Sequence, residues 1–181
     1  MIRTAVMIFL ASAAPLAAVP AAAQDAMQHA PDSSPCAAPG VLPSLLAAWA
    51  EPRGSLTAAA KPGAARAALL ALGKAYEATL QPTPAVKYAV PPVKPGGTVS
   101  FGGLFAFDVA EAGAYRVSLS THSWTDVIED RQALASVAHG HGPECTSLAK
   151  MVDYELKPGR HILQIAANGE PGISLMVVRL P

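Results

Sequence analysis

The chain has 181 residues, with 13 basic and 13 acidic side chains, no formal net charge at pH 7, 14% charged residues and 51% apolar ones. A neutral chain has no electrostatic footprint for a phosphate backbone, so nucleic acid is not an expected partner. Low charge with ample apolar content argues against wholesale disorder, two cysteines are too few for a disulfide scaffold or a four-cysteine zinc site, and the length suits one domain with a real core.

In chain order, residues 1–23 read as a secretory signal peptide. Arg3 supplies the positive n-region, Val6 to Leu10 and the alanines after it form the apolar core, and Ala21-Ala22-Ala23 offers small residues for cleavage before Gln24. A membrane anchor needs about 20 apolar residues without a break, and Pro15 and Pro20 interrupt this one. Loss of Arg3 leaves 12 basic against 13 acidic residues, a net charge of −1. The expectation is a periplasmic or secreted protein with no membrane span after cleavage. In an oxidising compartment Cys36 and Cys145 are expected to form a disulfide, closing a loop of about 110 residues worth roughly 4–5 kcal/mol of chain entropy.

Residues 24–63 read as a leader with a short helix and a linker. Gln24 to Gly40 is polar and Pro-rich, tethered at Cys36. Val41 to Ala50 places Leu42, Leu45, Leu46 and Trp49 at helical spacing, with Pro43 suited to the first turn and Pro52 as a stop. Glu51 to Gly63 reads as the linker.

Residues 64–181 read as the folded domain. Ala64 to Gln81 favours helix by composition, but Gly73 interrupts it, and two strands around Gly73 fit the β-rich remainder better. Pro82 to Pro95 holds five prolines and is expected as an extended edge or surface connection. Strands are predicted at Leu104 to Val109, Tyr115 to Leu119, Trp124 to Ile128, Ala133 to Ala138, Met151 to Leu156, His161 to Ala166 and Ile173 to Leu180. Polar or Gly/Pro turns at Glu111-Ala112-Gly113, Glu129-Asp130-Arg131, Lys157-Pro158-Gly159-Arg160 and Asn168 to Gly172 separate them. Short strands at this spacing predict a mainly β fold, a single β-sandwich or jelly-roll-like domain with one short N-terminal helix.

The run Ala112 to Leu119, then Trp124 to Val127, Leu156 to Leu163 and Gly172 to Val177, resembles the bacterial pre-peptidase C-terminal domain family. The resemblance covers roughly residues 64–180. It implies a small secreted β-sandwich that accompanies an enzyme as a folding, targeting or binding module, and no catalytic domain is expected within these 181 residues.

His139-Gly140-His141-Gly142-Pro143-Glu144-Cys145 is the one cluster that suggests chemistry. On a strand, residues two apart share a face, so His139 and His141 can share a metal. Glu144 would make a two-histidine, one-carboxylate set of the kind non-haem iron oxygenases use. The pattern resembles small exported chains labelled homogentisate 1,2-dioxygenase, which implies iron, and loosely resembles the first cupin motif. In the cupin motif three or four residues intervene between the second histidine and the acid, whereas here only Gly142 and Pro143 intervene. The bland reading is a Gly-rich surface turn fixed by the disulfide. His122 and Asp126 flank Trp124 and are candidates to complete a site, or simply cap a turn beside a packed Trp. No nucleophile elbow, P-loop or His-Glu-x-x-His helix is present.

The leading expectation is an exported, non-enzymatic binding or accessory protein of the cell envelope, requiring no cofactor, with an envelope protein, a glycan or a small ligand as partner. Two rivals stand beside it. One is a non-haem iron dioxygenase with iron on His139, His141 and Glu144. The other is a periplasmic copper or zinc protein using the same histidines with His122.

Overall fold

The computed structural model describes Cys36 and residues 38–181. The expected signal peptide, residues 1–23, and the leader from Gln24 to Pro35 lie outside the described residues.

Among the described residues, twelve strands fold as two sheets: β1 (Gly54–Thr57), β2 (Leu69–Leu70), β3 (Ala75–Thr79), β4 (Gln81–Pro82), β5 (Phe101–Val109), β6 (Gly113–Leu119), β7 (Trp124–Glu129), β8 (Gln132–Ala133), β9 (Ala138–Gly140), β10 (Lys150–Leu156), β11 (Gly159–Asn168) and β12 (Gly172–Arg179). One sheet runs β1-β3-β12-β6-β10-β9 and the other β2-β5-β11-β7-β8, with β4 added to β5. Pairing is antiparallel throughout the middle, and only the short edge strands β1 and β2 pair in parallel, with β3 and β5. Inward-facing residues of the two sheets meet in one core. Phe105, Phe107, Val127, Leu163 and Ile165 come from one side, and Tyr115, Val117, Leu119, Val152 and Leu175 from the other. The expected β-sandwich is therefore the observed fold.

The hydrophobic alternation in the sequence is blurred because both sheets are also covered on their outer faces. Leu46 and Trp49 pack on Ala75, Met176 and Val178 outside one sheet. Ala64, Ala65, Val86 and Ala89 cover Leu104, Ala106 and Ile162 outside the other. Six consecutive residues of β12, Ile173 to Val178, are consequently buried. A strand covered on both faces reads as a continuous apolar run rather than as period two.

Two strands flank Gly73 as expected, and Gly73 adopts φ +74°, a turn conformation that favours glycine. The two strands nevertheless belong to different sheets. Pro82 to Pro95 contributes only Pro82 to a strand, at the sheet edge, and otherwise runs as a connection with a 3-10 turn at Thr83–Ala85. Tyr115 anchors the start of its strand by donating its hydroxyl to the Glu111 carbonyl, 2.8 Å away.

Three expectations are corrected. The short helix is a 3-10 helix, Ser44–Trp49, still packed through Leu46 and Trp49. The linker Glu51 to Gly63 contains β1, which pairs along β3 and packs Leu56 against the core, contacts that leave no local mark in Gly54-Ser55-Leu56-Thr57. Ala133 to Ala138 is not one strand. β8 ends at Ala133, Leu134 to Val137 crosses between the sheets, and β9 begins at Ala138 in the other sheet.

Cys36 and Cys145 are bonded, with Cα atoms 5.5 Å apart and a sequence separation of 109. The Gly40 amide adds a 2.8 Å hydrogen bond to the Cys145 carbonyl. Among the described residues no helix is long and apolar enough to cross a membrane.

Candidate functional site

The four tentative metal ligands are only partly brought together. His122, in the β6–β7 connection, and His141, just beyond β9, place their ring centroids 5.4 Å apart at 72°. His139 lies opposite Val152 in the β9–β10 ladder. Cross-strand partners share a face, so His139 shares the inward face of Val152. Glu144 is exposed beside the disulfide. Among the described residues, no three His, Cys, Asp or Glu side chains gather where one ion would bridge them. Gly142 has a packing cause, since a Cβ there would run into the Leu148 carbonyl, and a Cβ on Gly40 would likewise run into the Glu144 carbonyl of this loop, whereas Gly140 has open space around it.

A different site emerges beside it. β8 pairs only with Ile128 and Glu129 of β7, so the first part of β7 has β11 on one edge and no strand on the other. Three alternate carbonyls of that open edge are met from elsewhere. Lys150 Nζ donates to Ser123 at 2.8 Å and the Tyr154 hydroxyl donates to Thr125 at 3.0 Å, both from the opposite sheet, while the Leu134 amide donates to Val127 at 2.9 Å. Open strand edges are aggregation templates unless blocked, and side chains block this one. Because side chains fill less space than a strand, a cavity of about 390 Å³ remains under the Leu134 to Val137 crossover, lined among others by Trp124, Ser136, His139, Lys150, Val152 and Tyr154.

The wall at Trp124 is built by a buried polar relay. The Trp124 indole N–H donates to both oxygens of Asp126 at 2.9 Å. Gln164, fully buried on β11, donates to Asp126 at 3.2 Å and to the Val90 carbonyl at 2.9 Å, and accepts from the Ala89 amide at 2.9 Å. Gln164 thus fastens the Pro-rich connection to the outside of its sheet. Four residues past Val90, Lys94 sets its ammonium 5.7 Å above the Trp124 ring, within cation–π range.

Charge in this pocket is perturbed for identifiable reasons. Burial pushes Asp126 above the ordinary carboxylate range, against the pull of its bonds to Trp124 and Gln164 and of the Lys150 charge. Burial pushes Lys150 down, Asp126 partly restores it, and Lys94 lowers it further by like-charge repulsion. Burial likewise raises the Tyr154 phenol, with the Asp126 charge adding to it.

Of the groups singled out in the sequence, His139, Trp124 and Asp126 line this cavity and His122 and His141 pair beside it. Ser123 is buried and Asp126 is committed to Trp124 and Gln164, so neighbouring Ser123, His122 and Asp126 form no triad. Lys94, Lys150, Tyr154 and Gln164 were not legible as site residues. The available signal was positional: Lys150 shares strand parity with the inward-facing Val152 and Tyr154, and Gln164 stands between the apolar Leu163 and Ile165.

No family model matches the chain, and no curated protein matches it. Among solved structures it is similar to the pre-peptidase C-terminal domain of collagenase from Bacillus anthracis, at 14% identity over 70% of this chain and 96% of that chain, with a TM-score of 0.36. This is the family that the strand and turn residues resemble. At that degree of superposition the likeness carries no argument about the site, and the sandwich architecture rests on the sheets themselves.

Proposed function

We propose that the chain is an exported, non-enzymatic β-sandwich module of the cell envelope that binds a small ligand in the cavity at the open edge of β7. The observation that carries this reading is the cavity itself. It has the size of a small-molecule site and combines an aromatic wall, apolar Val152, and convergent polar groups on His139, Lys150 and Ser136. Export is supported by the signal-like residues 1–23 and by the Cys36–Cys145 bond, which an oxidising compartment favours.

The test has two parts. Expression of the full chain in a bacterium followed by fractionation should give a periplasmic or secreted product beginning at Gln24; a cytoplasmic product retaining Met1 would end the export reading. Ligand-detected NMR against a set of small acids, amines and sugars should find compounds whose binding disappears in Ala135→Trp, which fills the cavity from the crossover. A complete lack of compounds sensitive to that substitution would refute the binding reading.

A second reading rests on the approach of His122 and His141. Two imidazoles at one spot can begin a copper or zinc site, with no third ligand gathered beside them among the described residues. Titration with copper and zinc should then give one-to-one binding lost in His122→Ala and His141→Ala but kept in His139→Ala. Near-stoichiometric iron together with oxygen uptake on aromatic diols would instead favour the dioxygenase.

A further inference from the structure

Resting on the cavity reading above, we infer that the site takes a small carboxylic acid with an aromatic or apolar body. Two ammonium groups serve this cavity, Lys150 in its wall and Lys94 at the Trp124 ring. Neither has a carboxylate partner in any ion pair among the described residues. The one acid nearby, Asp126, has its oxygens occupied by the indole N–H and the Gln164 amide. Lys150 uses one of its three N–H groups on the Ser123 carbonyl, so two remain to be directed at a guest.

Lys150 is half-buried, and burial and Lys94 disfavour its ammonium there while Asp126 restores it only in part. A guest carboxylate would relieve both penalties at once. A guest amine would add a third positive charge to a site already crowded with them. The body of the guest is set by the other walls, where the Trp124 ring, Val152 and Leu134 offer apolar surface, while His139 and Ser136 can bond a second oxygen. The Lys94–Trp124 contact places a cation on one ring face, close enough to Lys150 to act on it by like-charge repulsion.

The experiment is calorimetric titration of the disulfide-bonded protein at pH 7 and low salt with three probes of one shape: benzoate, benzyl alcohol and benzylamine. Benzoate should bind roughly tenfold or more tightly than benzyl alcohol, the scale of one charge-assisted hydrogen bond, and benzylamine should bind least. Lys150→Gln keeps a donor for the Ser123 carbonyl and should erase the advantage of benzoate over the alcohol. Lys94→Ala, at an exposed position, should weaken benzoate about two- to threefold, as a partly screened charge would. Ala135→Trp should abolish binding of benzoate. Equal or tighter binding of the alcohol or the amine, still lost in Ala135→Trp, would overturn the acid class and leave the cavity standing as a ligand site. Benzoate binding indifferent to all three substitutions would place it elsewhere on the surface and overturn the inference. Absence of binding by every probe at millimolar concentration would overturn the inference, and the cavity reading would then stand or fall on the wider set of acids, amines and sugars.

Discussion

Replacing Gln164 by leucine should detach the Pro-rich connection from the sheet beneath it. The side chain is wholly buried and makes three short bonds, to the Ala89 amide at 2.9 Å, the Val90 carbonyl at 2.9 Å and Asp126 at 3.2 Å. Leucine keeps most of the volume and removes every bond. Ala89 and Val90 are half-buried, so water can partly replace what they lose, and each bond should cost about 1 kcal/mol rather than a full desolvation penalty. The total is roughly 2–3 kcal/mol, and for a domain of this size about 5–10 °C in Tm. Urea unfolding gives the global loss, and hydrogen exchange at Ala89 should show lost protection well before the core strands do. Gln164→Glu separates the parts. It keeps an acceptor for Ala89 but sets a second carboxylate against Asp126, so its cost should exceed that of leucine at neutral pH and shrink in acid. Stability within about 0.5 kcal/mol of the parent, the usual range for an inconsequential surface change, with Ala89 still protected, would refute the role assigned to Gln164.

Three further outcomes follow from the same geometry. Cys36→Ser/Cys145→Ser, which opens a bridge between residues 109 apart, should lower stability by about 5 kcal/mol in the chain-entropy model, measured by urea midpoints; a loss under about 1 kcal/mol would contradict that model and point to residual structure in the unfolded chain. Gly142→Ala drives a methyl into the Leu148 carbonyl and should cost about 1–3 kcal/mol as an overpacking change, whereas Gly140→Ala, with nothing near its Cβ position, should be close to neutral; equal effects would sink the packing explanation of this loop. Asp126, held above its ordinary value chiefly by burial, binds its proton more tightly folded than unfolded. Its contribution to stability is therefore full below the ordinary carboxylate value and is lost as pH rises through the raised folded value. Unfolding midpoints in the acid range should accordingly show that Asp126→Asn removes this decline, and identical pH profiles for the two proteins would contradict it.

Local chemistry determined a good deal of this protein. Gly73 forced a turn where composition alone favoured helix, the prolines from Pro82 to Pro95 kept that stretch out of the sheets except at one edge residue, and alternating apolar residues marked the long strands. Each is a restriction on φ, on a missing donor or on side-chain direction, properties of a residue and its immediate neighbours. Two cysteines in a chain with an export-like start similarly pointed to one bond. Pairing between distant segments is another matter. β1 carries no signal of its own and exists because β3 offers an edge. The stretch after Ala133 changes sheets, which only the packing of the sandwich requires. The unbroken burial of β12 reflects Leu46 and Trp49 covering its outer face. The same holds for the site. The histidine loop was conspicuous because its residues are adjacent in sequence, yet the structure joins only His141 to His122. The cavity draws on Trp124, Leu134, His139 and Lys150, which lie on four separate segments and meet because β8 is too short to close the edge of β7.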